Sequence, residues 1–489
     1  MSTVTLATPA LKLPTYDEAA TRYAEVQGNI LKGHGRDHAA FLFIEFGADQ
    51  AWARTWIGEG LRGDGPFAIT FTRKQLRDTQ RFQRFHIPGD LFAMLLFTAA
   101  GLQALGQPLP PEPEQVAQPP LPPAFARGMR HATTQDLLTD PVPADWDAAW
   151  FAPGTATPTP LHALLVLADD DFEHLQHTVR AVSDQLASGV GELRILEWGH
   201  ALRNADGNGI EHFGYADGVS QPIYLAEDMP NHAPAGAKDN PLAEEIDRWN
   251  PGADPEKQVL VPDPAGSFGS FFVFRKLQQQ VRDFKEAEEK LARRIGLAAA
   301  DAERAGAMLV GRFEDGTPVV ERGTDGLIDP IINNFNYGGD KHGLRCPLHA
   351  HIRKVNPRHE TGDPHESLRR LTRRGIPFGS REDALQEDGD PVGLLFMCFQ
   401  RNIAQQFEFI QKFWANNPDF LKDTPTTGLD PIIGQGDRGK LRFNYTYGAA
   451  GCRLAAFEQL VSLRGGEYFY APSRSGLAQL AGGAAGAVA

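Results

Sequence analysis

The chain has 489 residues, of which 42% are hydrophobic and 22% charged, as in ordinary globular proteins and unlike a disordered chain. Its net charge of −14 disfavours non-specific binding to nucleic acid or anionic lipid, because neutralising phosphates requires a basic surface. The three cysteines, Cys346, Cys398 and Cys452, lie far apart, which argues against a disulfide scaffold and against a CxxC metal site. No uncharged apolar run reaches the roughly 18 residues of a membrane span, and no signal peptide or twin-arginine motif is recognisable, so we expect a cytoplasmic protein without a membrane partner.

The chain begins with a weakly patterned segment, residues 1–20, which we expect to form a flexible arm. Short apolar runs then predict strands at residues 39–46, 161–167, 270–274 and 393–399. Apolar residues spaced by three and four predict helices at residues 172–186, 276–297 and 403–414. Because a strand followed by a helix recurs in both halves, and the other strands look connected by hairpins, the pattern predicts an α+β fold with antiparallel sheets.

Several segments have compositions that predict irregular structure. Half of the sixteen residues at 108–123 are proline, which predicts a surface connector in the polyproline-II conformation. The stretches 229–258 and 323–344 are rich in Gly, Asn, Pro and Asp, and loops of this length usually line a site or wrap a cofactor. We expect the Gly- and Ala-rich tail, residues 475–489, to be flexible.

The densest polar cluster of the sequence is residues 346–358. An extended backbone here would place His349, His351 and Arg353 on one side. Two histidines could bind zinc, but no third ligand is specified nearby, and one imidazole with neighbouring cations suits haem better. On spacing alone, a solvated basic loop is the favoured interpretation.

Two further segments could contribute to a site. In Gly-Tyr-Ala-Asp-Gly, residues 214–218, the pattern taken alone indicates a turn in which Asp217 caps backbone amides. In Arg-Arg-Gly-Ile-Pro-Phe-Gly, residues 373–379, it indicates a basic loop with a proline bend.

Taken together and in order, these segments strongly resemble the dye-decolourising peroxidase family. The matching motifs are Gly-Tyr-Ala-Asp-Gly, then Ala-His-Ile-Arg-Lys with Asn-Pro-Arg after it, then Arg-Arg-Gly-Ile-Pro-Phe-Gly. Weaker matches at residues 26–31, 269–277, 393–396, 406–411, 430–434 and 465–473 extend the resemblance over nearly the whole chain. The family has Phe more often than Tyr at position 215, but an aromatic residue is retained.

The resemblance implies two ferredoxin-like α+β halves, with antiparallel sheets flanked by helices and a non-covalent haem b held mainly by the C-terminal half. We expect an N-terminal domain at residues 21–205 and a C-terminal haem-binding domain at residues 206–474. The absence of a CxxCH motif agrees with non-covalent haem.

The resemblance also assigns roles to single residues. His351 is expected to be the axial ligand of the haem iron, with His349 as the second candidate. Asp217 is expected to shuttle a proton between the peroxide oxygens, and Arg373 to stabilise the leaving hydroxide and keep Asp217 ionised. Its neighbour Arg374 is expected to be a structural or surface cation.

Other residues are expected around the cofactor. Arg353 is a candidate for a haem propionate, or else part of a plain salt bridge. Leu394 and Phe396 are expected to form the apolar distal wall, with core packing as an equal alternative. Asp430 is a hypothetical hydrogen-bond partner of the axial histidine.

The resemblance thus implies a haem peroxidase that reduces hydrogen peroxide through an oxoferryl intermediate and oxidises dyes or phenols in one-electron steps. The alternative is a haem-binding or haem-handling protein without turnover, which would not require Asp217 and Arg373 together. The sequence leaves the physiological reductant and the oligomeric state open.

Overall fold

A computed structural model of the chain describes residues 12–112, 122–189, 191–229, 249–325, 333–386, 388–421, 427–436, 438, 443–445 and 453–483. The predicted polyproline-II connector lies mainly outside the described residues, as do parts of the two long irregular stretches and the end of the tail.

The described residues contain one large antiparallel sheet and two short hairpins. The strands are β1 (His38–Glu45), β2 (Phe92–Phe97), β3 (Ala163–Asp169), β4 (Glu192–His200), β5 (Leu202–Arg203), β6 (Gly209–Ile210), β7 (Val261–Pro262), β8 (Phe268–Gln279), β9 (Thr372–Arg373), β10 (Ile376–Phe378), β11 (Gly393–Gln400), β12 (Phe443–Tyr445), β13 (Arg453–Ala455) and β14 (Val461–Ala471). The main sheet has the order β10-β11-β8-β14-β2-β3-β1-β4, with β7 paired to β8 and β9 to β11. The pairs β5–β6 and β12–β13 form the hairpins.

The two halves of the sheet have the same strand order. In the first half the order is β2-β3-β1-β4, and in the second half it is β10-β11-β8-β14. In each half the first strand in sequence therefore lies between the third and the fourth, as in a ferredoxin-like unit. The halves join where Tyr470 of β14 lies opposite Phe97 of β2. This internal duplication agrees with the recurring strand–helix pattern of the sequence, while the domain boundaries stay predictions.

Helices cover and connect the strands. They are α1 (Tyr16–Arg22), α2 (Gln50–Arg62), α3 (Thr72–Phe85), α4 (Ala99–Ala104), α5 (Ala124–Arg127), α6 (Ala132–Leu138), α7 (Phe172–Ser188), α8 (Pro255–Gln258), α9 (Val281–Ile295), α10 (Glu303–Val310), α11 (His351–Val355), α12 (Phe407–Phe409) and α13 (Arg474–Leu480). A π-helix, Ile410–Ala415, continues α12. Short 3-10 turns occupy Pro143–Asp145, Ala148–Trp150, Ala226–Asp228, Ala299–Asp301, Glu366–Arg369 and Asp383–Leu385.

The main core lies where the two halves of the curved sheet face each other. The ring of Phe43 on β1 meets that of Phe274 on β8, with centroids 4.9 Å apart. Phe43 also contacts Trp150 and Phe469, and all four of these aromatic side chains are buried. Aromatic packing therefore fixes the second half of the sheet against the first, and it leaves the opposite face of β8 for other contacts.

The predicted strands and the helix at residues 172–186 are confirmed, but several boundaries differ. Strand β8 runs on to Gln279, so the next helix begins at Val281, and the third predicted helix begins only at Phe407. A capping box at Thr15 starts a helix inside the predicted arm. Helix α13 occupies part of the predicted flexible tail, because its apolar side chains pack near α2.

None of the helices in the described part of the chain is both long and apolar enough to cross a lipid bilayer.

Candidate active site

A large cavity opens on the second half of the sheet. About 1800 Å³ between its described lining residues is free of atoms, and this volume includes open solvent at the mouth. The described residues that line it lie between positions 211 and 461, within the predicted C-terminal domain. They come from the loop after β6, from β8 and β11, from α11 and the segments around it, and from the π-helix.

The sheet supplies one apolar wall of this cavity. Leu277 of β8 lies opposite Leu394 of β11 and opposite Leu463 of β14, and Phe396 is two residues beyond Leu394. Because alternate residues of a strand share a face, Leu277, Leu394 and Phe396 point to the cavity, while Phe274 points to the aromatic core. Leu394 and Phe396 thus line the cavity, and Phe396 also packs against the main core, so their role as the distal wall stays a prediction.

His351 lies at the wall of the cavity, at the first position of α11. The segment before it is a turn, with Ala350 as the N-cap, so residues 349–353 do not adopt the extended backbone that would place His349, His351 and Arg353 on one side. The side chain of His351 is 21% exposed. Of the described residues that line the cavity, His351 is the only histidine.

A buried carboxylate holds the imidazole of His351. The Nδ1 atom of His351 lies 2.8 Å from Oδ2 of Asp430, whose side chain is fully buried. The other oxygen of Asp430 accepts hydrogen bonds from the backbone N–H groups of Ile432 and Ile433, at 2.8 and 3.0 Å. These contacts outweigh the effect of burial and lower the pKa of Asp430. An ionised acceptor keeps the ring proton on Nδ1, and Nε2 is then free to bind a metal. The structure confirms the hypothetical contact between His351 and Asp430.

His349, the second candidate ligand, is placed differently. It is 1% exposed and is not among the described residues that line the cavity. Burial lowers its pKa to about 3, so it is a neutral core histidine. In the described part of the chain, no group of three or more His, Cys, Asp or Glu residues is placed to hold a metal ion, which leaves the zinc interpretation without a ligand set.

Asp217 lines the cavity from the loop after β6 and is exposed to it. Its Oδ1 accepts a 2.6 Å hydrogen bond from the N–H of Gly218, as the turn interpretation predicted. Gly214 and Gly218 have φ angles of +105° and +72°, which explains the two glycines of the motif, since side chains disfavour this conformation. The turn therefore presents the carboxylate to the cavity.

Arg373 reaches the same cavity from β9. Its Nη2 donates to the carbonyl of Ser220, at 3.4 Å, so it contacts the loop that carries Asp217. Among the described residues, no ion pair joins Asp217 and Arg373, and the expectation that Arg373 keeps Asp217 ionised stays a prediction. Arg374 donates to the carbonyls of Asn29 and Ile30, which makes it the structural cation that we predicted.

Arg353 does not lie where the sequence predicted. It is fully buried and outside the set of described lining residues. Its guanidinium forms ion pairs with Glu360 and Asp340 and donates to the carbonyl of Cys346. This position contradicts the expected contact with a haem propionate and agrees with the alternative, a salt bridge. Because α11 is a helix, its third residue, Arg353, points away from the face of its first, His351.

Sequence reasoning missed five charged residues of the cavity wall. They are Glu211, Arg275, Arg312, Arg358 and Arg370. Glu211 lies just before the Gly-Tyr-Ala-Asp-Gly motif, and its carboxylate accepts hydrogen bonds from the N–H groups of Phe213 and Tyr215, both at 2.9 Å. Burial raises its pKa to about 7. The Asn-Pro-Arg motif contained a signal for Arg358, but nothing in the sequence showed which arginines face the cavity.

The chemistry of this cavity fits haem. A flat apolar group would pack against the Leu277–Leu394–Phe396 wall, and one imidazole with a fixed tautomer would bind its iron. The described lining residues include five arginines and two carboxylates, and one of the arginines, Arg275, is paired with the buried Asp140. The remaining excess of positive charge suits the two carboxylate arms of the porphyrin.

Comparisons with known proteins agree with this site. The model of the family described as Dyp-type peroxidase, C-terminal, matches residues 250–427. The multifunctional dye peroxidase DyP2 of Amycolatopsis sp. (strain ATCC 39116 / 75iv2) is 40% identical over 485 residues, which cover 95% of this chain and 97% of that protein. The dye-decolorizing peroxidase msp1 of Mycetinis scorodonius is 28% identical, with 95% of this chain and 90% of the relative covered.

Solved structures show the same similarity. A DyP-type peroxidase of Anabaena sp. (AnaPX) superposes with a TM-score of 0.82 at 33% identity, and 96% of this chain and 97% of that chain are covered. The structure of DyP2 from Amycolatopsis sp. ATCC 39116 also gives a TM-score of 0.82, at 38% identity, with 96% and 99% of the chains covered.

Proposed function

The chain belongs to the DyP-type peroxidase family and is a peroxidase that oxidises dyes, and from this premise we propose which residues hold its haem and which act on peroxide. The observation that carries the proposal is one cavity that brings together His351, with Asp430 behind it, Asp217 and Arg373. The comparisons lend no support to a haem-binding protein without turnover.

We assign non-covalent haem b to this cavity, where Nε2 of His351 would bind its iron. Asp430 holds the imidazole in the tautomer that this role requires. Leu394 and Phe396 supply an apolar wall that admits a small peroxide more readily than a bulky dye. When bound, haem supplies a redox-active iron that takes two oxidising equivalents from peroxide and returns them to reductants one electron at a time.

The acid–base work falls to Asp217. Hydrogen peroxide becomes reactive when a proton moves from one of its oxygens to the other, so that the departing oxygen leaves as water. Because Oδ1 of Asp217 is held by the N–H of Gly218, Oδ2 is the atom that takes the proton and gives it back. Arg373 lies in the same cavity, and its fixed positive charge stabilises negative charge on the departing oxygen.

The substrates are hydrogen peroxide and a reductant, which we propose to be a dye, a phenol or another small molecule. The lack of nucleic-acid or membrane partners and the cytoplasmic location stay predictions from the sequence.

The optical spectrum of the purified protein tests the haem assignment. We expect a Soret band after reconstitution with hemin, a change of that band on adding peroxide, and dye oxidation. His351→Ala should lose most of the bound haem, because no other described lining residue is a histidine. The matched control is His349→Ala, a histidine two residues away that lies outside the cavity wall. If His349→Ala loses haem while His351→Ala keeps it, the ligand assignment is wrong.

A further inference from the structure

A second pocket lies in the first half of the protein, outside the cavity of the candidate active site. About 980 Å³ between its described lining residues is free of atoms, and this volume includes open solvent at the mouth. The loop at residues 32–36, helix α3 and the residues around the start of β2 supply most of its wall. The proposed function assigns no residue of this pocket.

Hydrogen bonds hold the loop at residues 32–36 in place. Gln75 of α3 donates from Nε2 to the carbonyl of Lys32, at 2.6 Å, and Oδ1 of Asn29 accepts the N–H of His34, at 3.2 Å. Gly35 has a φ angle of +68°, which residues with a side chain disfavour. The loop therefore keeps His34 in a fixed position at the pocket wall.

His34 has a fixed tautomer. Its Nδ1 accepts the N–H of Arg36, at 3.0 Å, so the ring proton lies on Nε2. None of the described residues accepts a hydrogen bond from Nε2. Burial first, and then the charges of Arg36 and Arg374, lower the pKa of His34 to about 3, so the ring stays neutral. The pocket wall thus carries an uncharged hydrogen-bond donor that is free to bind a ligand.

Two phenylalanines add aromatic surface to the pocket. The ring of His34 stacks on that of Phe92, with centroids 4.9 Å apart and an angle of 27° between the planes. Phe82 of α3 also lines the pocket, and it is 51% exposed. A flat apolar ligand would cover this exposed ring and remove apolar surface from water.

The charges of the wall favour a neutral ligand over an anion. The charged lining residues are three carboxylates and two cations, namely Asp78, Asp90, Asp170, Lys32 and Arg36. A phenol has the matching groups, because its oxygen accepts a hydrogen bond from an imidazole N–H while its O–H donates to a carboxylate. A sulfonated dye would instead bring negative charge to a wall on which carboxylates outnumber cations.

The pocket lies close to the cavity that we assign to haem. Arg374 donates to the carbonyls of Asn29 and Ile30, just before the loop, and a Cβ atom on Gly33 would lie 3.8 Å from the Arg374 side chain. The preceding residue, Arg373, lines the haem cavity. Two consecutive residues therefore contact the two sites, Arg374 the loop of the pocket and Arg373 the cavity.

We propose that this pocket binds a phenolic reductant, whose oxygen accepts the hydrogen bond from Nε2 of His34. The inference rests on the proposed function, since the neighbouring cavity must hold the haem that takes the electron. In each oxidation the O–H bond of the phenol breaks, its proton goes to water at the mouth of the pocket, and one electron passes to the oxidised haem. The phenol leaves as a phenoxyl radical.

Filling the pocket tests the proposal. Thr79 of α3 lines the pocket and is only partly buried, so Thr79→Trp should block the pocket without disturbing the core. Calorimetric titration of the haem-loaded protein with 2-methoxyphenol, in the absence of peroxide, measures binding. Thr79→Trp should weaken this binding by about tenfold or more and raise the KM for the phenol, while the Soret change caused by peroxide alone keeps its rate. The matched control is Gln80→Trp, an exposed position of the same helix outside the described pocket wall, which should bind the phenol as wild type does.

A second pair of variants tests the donor. His34→Phe keeps an aromatic ring against Phe92 but removes the N–H, and should weaken phenol binding about fivefold. His34→Gln retains a side-chain N–H and should restore most of the affinity. Unaltered binding in both His34→Phe and Thr79→Trp would overturn the proposal.

Three other outcomes are equally decisive. Equal losses in Thr79→Trp and Gln80→Trp would overturn the proposal, because the effect would then not depend on the pocket. Equal rises of KM for 2-methoxyphenol and for a sulfonated dye in Thr79→Trp would overturn the choice of a neutral phenol. A protein that takes up no hemin but binds 2-methoxyphenol, and loses this binding in Thr79→Trp, would refute the proposed function while the phenol site stands.

Discussion

Replacing Asp430 by Asn should weaken haem binding through the tautomer of His351. In the native protein, Oδ1 of Asp430 accepts two backbone N–H groups and Oδ2 faces Nδ1 of the imidazole. An amide nitrogen cannot accept a hydrogen bond, so the Asn side chain keeps its oxygen towards the backbone and points its NH₂ at Nδ1. The imidazole must then carry its proton on Nε2, which is the atom needed for iron.

The size of the effect follows from these contacts. Turning the amide over restores the histidine tautomer but leaves two backbone N–H groups without an acceptor, at a cost of about 1 kcal/mol each. If the amide instead keeps its oxygen towards the backbone, His351 has the wrong tautomer for binding iron. Loss of the carboxylate partner of a metal-binding histidine typically weakens metal affinity by about 10- to 100-fold. Both routes indicate a loss of about 2 kcal/mol, or roughly 30-fold in haem affinity.

Hemin titration of the apoprotein, followed in the Soret band, measures this change. Asp263→Asn is the control, because Asp263 is also buried and accepts from the N–H of Ser473 and the hydroxyl of Tyr470, outside the described lining residues. Asp263→Asn should lower the free energy of unfolding without the specific loss of haem affinity expected for Asp430→Asn. The reasoning is refuted if Asp430→Asn binds hemin as wild type does, or if both variants lose affinity equally.

Three further predictions concern other parts of the molecule. Asp217→Asn and Arg373→Leu should keep the Soret band but lower peroxidase turnover by about 10²- to 10⁴-fold, and a variant that turns over normally would remove its residue from the reaction. For Glu211, the pKa is raised from 4.5 to about 7 in the folded state, so its contribution to stability is full below pH 4.5 and is lost as the pH rises through 7. In urea unfolding of the apoprotein, the free energy of unfolding of wild type should therefore fall by up to about 3 kcal/mol relative to Glu211→Gln as the pH rises through this range. Parallel curves of unfolding free energy against pH for the two proteins would contradict the raised pKa of Glu211. Leu477→Ala should lower the free energy of unfolding by about 2–5 kcal/mol without changing haem affinity, because Leu477 is fully buried in α13, and an unchanged value would show that this helix adds no stability.

The sequence predicted the strands and motifs well because these depend on local patterns. The run at residues 393–399 could be assigned from its apolar composition, and β11 is indeed Gly393–Gln400. The two glycines around Asp217 indicated a turn because few residues other than glycine adopt positive φ, and the turn is present. Motif order, supported by the resemblance, was enough to indicate the family.

The tail and the segment at residues 349–353 show where local patterns failed. A Gly- and Ala-rich sequence has little preference of its own, and α13 exists because its Leu477 face finds a buried site near α2. Alternation of His349, His351 and Arg353 would place all three on one side of an extended chain, but the chain turns at Ala350 and forms a short helix from His351.

The sequence by itself determined which chemical groups this protein carries: an imidazole, a carboxylate and a guanidinium within motifs of a peroxidase family. Only the tertiary structure decided which of several candidates face one cavity. Asp430 meets His351 across 79 positions of sequence, and Arg358 rather than Arg353 reaches the wall. The physical reason is that hydrogen bonds and ion pairs depend on distances of a few ångströms, and these are set by how the strands and helices pack rather than by separation along the chain.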